Sequence, residues 1–104
     1  PNIYRCVLLA TSQHVAEETL RFKPVASSPI GVIRGSASLL DEVITTLDTQ
    51  LFRFAKAENI QAIIWKKVIA NCVFNSVCPL LETDNGVFGR SESARQIAED
   101  IIHE

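Results

Sequence analysis

Trp65-Lys66-Lys67-Val68-Ile69-Ala70-Asn71-Cys72-Val73-Phe74-Asn75 is a strongly apolar run carrying one polar stripe. Lys67, Asn71 and Asn75 recur at i, i+4 and i+8, so on an α-helix their side chains stack along one edge. Ile63, Ile64, Trp65, Val68, Ile69, Cys72, Val73, Phe74 and Val77 cover nearly everything else. An ordinary solvent face is wider and filled with Glu, Lys and Gln. Asn is a poor helix former, up to ~0.7 kcal/mol below Ala per site. Two asparagines aligned below a lysine therefore suggest groups kept for hydrogen bonding to a ligand. The competing account makes the stripe the wet side of a helix packed on three sides. Lys66, pointing about 100° away from Lys67, reads as a solvated or snorkelling side chain.

The helix has a start and a stop. Asn59 is its natural cap, and Pro79 ends it at about Cys78. Thr83-Asp84-Asn85-Gly86 reads as a turn. It makes a poor metal loop, because no further ligands follow at calcium-loop spacing. Ser91 caps a last helix with Ala94, Ile97, Ala98, Ile101 and Ile102 on one face.

Upstream the pattern changes near Gly35. Ser38 as N-cap, with Asp41 in the capping-box position, opens a predicted helix over 38–56, with Leu40, Val43, Ile44, Leu47, Leu51 and Phe54 as its apolar face. Before Gly35 the runs are short. Tyr4 to Ala10, Thr19-Leu20-Arg21-Phe22-Lys23 ending at Pro24, and Ile30-Gly31-Val32-Ile33 read as three strands of an antiparallel meander. The expected fold is therefore an α+β fragment, a short antiparallel β segment over 1–35 followed by three packed helices over 36–104.

The pattern Trp-x-Lys-hydrophobic-x-x-Asn-x-x-x-Asn, here Trp65, Lys67, Val68, Asn71 and Asn75, resembles the central helix of the ketopantoate reductase family. Asn59-Ile60-Gln61-Ala62 resembles the usual start of that helix, Asn85-Gly86-Val87-Phe88 the turn after it, and Ala94-Arg95 with Glu104 the next helix. The similarity is dense over about residues 59–104 and diffuse before. It implies reduction of 2-dehydropantoate (ketopantoate) to pantoate with NADPH, on the route to pantothenate and coenzyme A, in the cytoplasm. It further implies that residues 1–35 finish the nucleotide-binding domain. Residues 36–104 would then begin a helical domain like the C-terminal one of 6-phosphogluconate dehydrogenase. By the same resemblance Lys67 is the catalytic lysine that hydrogen-bonds the reacting oxygen, while Asn71 and Asn75 bind the substrate's hydroxyl and carboxylate groups. Three stacked positions span about 12 Å at 1.5 Å per residue, ample for a branched hydroxy-keto acid. Trp65 points away from the stripe and is expected in the core. One departure stands out: the family usually has Pro directly after the second Asn, where this chain has Ser76.

Bulk properties narrow the field. The 104 residues carry no methionine and open on Pro1, so the chain is expected to be a piece of a longer polypeptide. A hydrophobic fraction of 47% is high for so small a body, and a symmetric homodimer is the simplest way to close faces left over. Net charge −2 and pI near 5.7 argue against a nucleic-acid footprint. The apolar run from Ile60 to Leu81 is broken by Lys66, Lys67, Asn71 and Asn75, which argues against a membrane span. Cys6, Cys72 and Cys78 read as reduced, buried thiols, and His14 and His103 are too isolated for a metal or catalytic pair. Gly31, Gly35, Gly86 and Gly89 make no GxGxxG or GxGxxA cradle, so NADPH is expected to be bound mainly by a preceding domain. The chain alone is expected to be inactive. The resemblance implies a downstream glutamate and serine as well, and Glu99 and Glu104 align with neither. Two other readings stay open: a non-enzymatic helical interaction or dimerisation module, and a related dehydrogenase of 2-keto or 3-hydroxy acids. An upstream glycine-rich strand-helix sequence would decide for the reductase.

Overall fold

The computed structural model describes residues 1–104. Strands β1 (Ile3–Cys6), β2 (Ala10–Ala16), β3 (Thr19–Pro24) and β4 (Ser28–Arg34) lead to helix α1 (Leu40–Leu47) and a short strand β5 (Phe54–Lys56). Helices α2 (Ile60–Leu80), α3 (Val87–Arg90) and α4 (Glu92–His103) follow. Four strands precede the first helix, as the sequence suggested, and β5 follows it. Two compact units result, Pro1–Ile63 and Ile64–Glu104.

The strands are not a meander. β4 is the middle of a three-stranded sheet, antiparallel to β1 and parallel to β5. β2 and β3 form a separate hairpin. Ser28, fully buried, explains how the β1–β4 ladder and the hairpin share one end. Its hydroxyl accepts from the Leu9 N–H at 2.9 Å, and its own N–H donates to the Arg53 carbonyl at 2.8 Å. The hydroxyl oxygen and the backbone N–H of this buried serine each thereby have a partner. β3 stops at Pro24, as expected. β2 went unread because Ala-Thr-Ser-Gln-His-Val-Ala has no apolar face.

The predicted helix over 38–56 is corrected to 40–47. Ser38 is not its cap: α1 starts after Leu39 without a side-chain cap bond, and the Ser38 N–H donates instead to Ser36 Oγ. Asp41 makes no capping box and takes Lys56 Nζ at 2.9 Å. Asp48 ends the helix. Its backbone turns extended, its Oδ1 accepts the Phe54 N–H at 2.7 Å and its Oδ2 pairs with Arg53 at 3.2 Å. The Thr49–Phe52 turn then reverses the chain into β5. Leu51 continued the helical period in sequence but is 80% exposed. Thus α1 joins β4 to a parallel neighbour, the usual route between parallel strands. It contacts β4 and β5, all within the compact unit Pro1–Ile63. The expected trio of packed helices is corrected accordingly: α1 belongs with the strands.

Asn59 caps α2 as predicted, its Oδ1 accepting the Ala62 N–H at 3.0 Å, a bond to the third helical residue. The helix runs two residues past the expected stop, with Pro79 inside its last turn. It closes at Glu82, whose φ of 49° is left-handed. Thr83 N–H reaches the Cys78 carbonyl at 3.0 Å and Glu82 N–H the Pro79 carbonyl at 3.2 Å, the two bonds of a Schellman motif. Glycine is the natural occupant of that position. A left-handed L-residue costs roughly 1–2 kcal/mol, and glycine gives back ~0.5–1 kcal/mol in entropy. Glu82→Gly is therefore expected to raise Tm by a few degrees in a thermal melt followed by circular dichroism. An unchanged or lowered Tm would contradict this account of the terminus.

In the second unit Val73, Val77 and Cys78 of α2 and Ala94 and Ala98 of α4 are buried. Phe74 and Phe88 meet with ring centroids 5.5 Å apart. Ser91 caps α4, accepting the Ala94 N–H at 3.3 Å. The expected apolar face of α4 is narrower than predicted: Ile97 and Ile102 are exposed.

Candidate functional site on the central helix

Helix α2 carries two lysines and no acidic residue, although the chain as a whole is net negative. Lys67, Asn71 and Asn75 are all exposed, on an uninterrupted stretch of that helix. Asn71 and Asn75 line an open depression of about 480 Å³ together with Val68, Cys72 and Ser76. Lys67 lies one turn before Asn71 on the same edge. Two of the five lining residues, Asn71 and Asn75, are ones the sequence reading proposed as ligand groups. It assigned Val68 and Cys72 to packing and treated Ser76 only as a departure from family pattern. The signal for them was available: Val68, Cys72 and Ser76 form the i, i+4, i+8 row beside Lys67, Asn71 and Asn75.

Two local features shape this wall. The Ser76 hydroxyl donates to the Cys72 carbonyl, with a longer contact to the Val73 carbonyl. That back-bonding ties the hydroxyl to the helix backbone. Pro79 has no N–H, so the Asn75 carbonyl loses its usual i+4 donor. The helix nevertheless continues through Asn75 in regular α form, which keeps that side chain in register with Asn71.

Other expectations need correction. Trp65 was placed in the core but is 59% exposed, and Val68 and Ile69 are also exposed. The apolar face of α2 is buried only along Val73, Val77 and Cys78, plus Ile60 at its start. The three cysteines are in no disulfide, and they are not uniformly buried. Cys78 is buried beside Asn85 Oδ1 at 3.3 Å, Cys6 is half-buried and Cys72 is exposed. At the turn after α2, Arg90 hydrogen-bonds Asp84 Oδ1 at 3.0 Å and the Gly86 N–H reaches the same oxygen at 2.6 Å. The Arg90 bond, then the Gly86 bond and the Arg90 charge, hold the Asp84 carboxyl below its usual range. These contacts close the turn internally. No group of three or more His, Cys, Asp or Glu is placed to hold a metal ion, and no helix is long and apolar enough to cross a membrane.

Residues 59–104 match the family model of the ketopantoate reductase PanE/ApbA C terminal. The matched segment starts at the Asn59 cap and takes in α2, α3 and α4, the same residues over which the sequence resemblance was dense. It contains Lys67, Asn71 and Asn75. No curated protein and no solved structure matches the chain.

Proposed function

We propose that residues 59–104 begin the helical substrate domain of an NADPH-dependent 2-dehydropantoate 2-reductase, with α2 as one wall of its cleft. The match to the ketopantoate reductase C-terminal family over these residues carries this reading. The exposure of Lys67, Asn71 and Asn75 along one edge supports it. The further description, a helical domain of the 6-phosphogluconate dehydrogenase type in a cytoplasmic enzyme, rests on resemblance.

Gly31 and Gly35 are taken up by packing within the chain. A side-chain carbon at Gly31 would meet Ile60 Cβ at 2.7 Å, and one at Gly35 would meet Asn2 Oδ1 at 2.2 Å. This reading assigns no cofactor-binding residue to the chain. NADPH, held by another domain, would supply the hydride. Lys67 then donates to the keto oxygen and stabilises the alkoxide that develops there, and can deliver its proton. Asn71 and Asn75, one and two turns on, donate to the carboxylate and meet the hydroxyl of the same substrate. Carboxamide contacts made equally to the ground and transition states act on binding rather than turnover.

The test uses the complete enzyme carrying this segment and follows NADPH oxidation. Asn71→Ala and Asn75→Ala are each expected to raise KM for the keto acid about tenfold to a hundredfold. That is the range for losing a hydrogen bond to a charged group, at roughly 1.5–3 kcal/mol. KM for NADPH should stay unchanged. Unaltered keto-acid KM in both variants would overturn the assignment.

A further inference from the structure

Of the chain's asparagines, only Asn85 precedes a glycine. That pair is reactive in itself. A side-chain carboxamide and the next backbone nitrogen can close a five-membered imide, and a glycine has no β-carbon to obstruct the ring. Asn2 and Asn59 precede isoleucine, whereas Asn71 and Asn75 lie inside α2 before Cys72 and Ser76. Asn85 instead sits, exposed, in the turn between α2 and α3.

The turn holds both reacting groups. The Gly86 N–H donates to Asp84 Oδ1 at 2.6 Å, and the Val87 N–H to the Asp84 carbonyl at 3.1 Å. These bonds tie down the peptide planes on either side of Gly86, the habit of an aspartate that opens a turn. Asn85 Oδ1 is held separately, accepting from the Cys78 thiol at 3.3 Å. Ring closure needs the Asn85–Gly86 peptide to rotate and its nitrogen to lose a proton. Asp84 opposes both, because its bond fixes the plane and its charge disfavours a second anion beside it. Arg90, bonded to the same oxygen at 3.0 Å, keeps the carboxylate over the glycine. A β-carbon at Gly86 would meet Asp84 Oδ1 at 2.7 Å and the Arg90 guanidinium as well. The Arg90 bond also holds the Asp84 carboxyl below its usual range, so it stays ionised at the neutral and alkaline pH where ring closure runs.

We propose that Asn85-Gly86 is a deamidation site restrained by Asp84. In the step, the Gly86 nitrogen bonds to Asn85 Cγ, the Cγ–Nδ2 bond breaks, and ammonia leaves with the proton that the nitrogen gave up. Water then adds to either imide carbonyl. One opening restores the original peptide link with an aspartyl side chain. The other reroutes the chain through the side-chain carbon as an isoaspartyl link. Nothing is oxidised or reduced. Either product sets a second carboxylate beside Asp84, and the isoaspartyl one lengthens the connection from α2 to α3 by a backbone carbon.

The experiment incubates the chain in mildly alkaline buffer, folded and unfolded in guanidinium chloride, and follows intact mass, peptide mapping and enzymatic methylation of isoaspartyl groups. Expected is deamidation mapped to Asn85, slower in the folded chain than in the unfolded one. Folded Asp84→Ala should react about tenfold faster than the unaltered chain, the lower end for releasing an N–H from a charged acceptor. Asp84→Ser offers the same N–H an uncharged acceptor and should fall between the two. A thermal melt of each variant separates release of the turn from loss of the fold. Should Asp84→Ala melt early, Arg90→Gln, which frees the carboxylate from its guanidinium, takes its place and should also react faster than the unaltered chain. Reaction mapped chiefly to another asparagine in the unfolded chain would overturn the site. A folded rate equal to the unfolded one, or unmoved in the folded variants, would overturn the restraint by Asp84.

Discussion

In the complete enzyme proposed here, Lys67→Ala is expected to lower kcat by about 10²–10⁴-fold, the range for losing a positioned proton donor. Hydride addition turns a neutral carbonyl oxygen into an alkoxide. A cationic donor at that oxygen gains strength as the charge develops, so its loss falls on the transition state more than on the bound substrate. The KM for the keto acid should therefore move much less than kcat. Lys67→Arg keeps the charge but replaces a compact ammonium with a planar fork, and should recover only part of the rate. Lys67 is exposed on α2, so folding should be little affected; surface changes of this kind stay within roughly 0.5 kcal/mol. Steady-state NADPH oxidation together with a thermal melt separates the two effects. Near-normal turnover in Lys67→Ala, with an unchanged melt, would remove the lysine from the mechanism.

Much of the chain from Asn59 onward could be read from the sequence because its signals are local. Asn59 and Ser91 are caps whose side chains bond the N–H three residues on, and those bonds depend on few neighbours. The polar edge of α2 was equally readable, since spacing alone fixes which side chains of a helix share a face. The first unit resisted for the opposite reason. The order β1-β4-β5 joins segments far apart in sequence, and nothing in a three-residue Phe-Ala-Lys run announces a parallel strand. At Asp48 the helical period of Leu47, Leu51 and Phe54 competed with side-chain bonds to the Phe54 N–H and to Arg53, and the turn won. Burial on α2 was overestimated because hydrophobicity shows what a residue favours but not whether the chain provides a partner. Trp65, Val68 and Ile69 remain exposed. Exposure of Val68 and Cys72 is also what turned two residues read as packing into lining of the candidate site.

Gly31→Ala is expected to be the most damaging single-carbon change in the first unit. Glycine inside a strand often marks a close approach of another backbone. Here the added carbon would sit 2.7 Å from Ile60 Cβ, 3.1 Å from Ile60 Cγ2 and 2.8 Å from the Ala57 carbonyl oxygen. None of these is the free end of a flexible side chain. Ala57 is fixed by its N–H bond to the Ile30 carbonyl at 2.9 Å. Ile60 is 2% exposed and begins α2 directly after the Asn59 cap. Accommodation must therefore move the first turn of α2 off β4. Overpacking of this kind costs about 1–3 kcal/mol, against ~0.4–1 kcal/mol gained by stiffening the unfolded chain. At about 4–8 °C per kcal/mol, the net loss should lower Tm by roughly 5–15 °C, and Gly31→Val, with two further methyls, by more. Gly89→Ala is the matched control, because a carbon added there meets nothing within 4 Å and alanine favours the helix by up to ~1 kcal/mol. That control should leave Tm level or slightly raised. If Gly31→Ala melts with the unaltered chain, β4 and the start of α2 do not approach as closely as this packing requires.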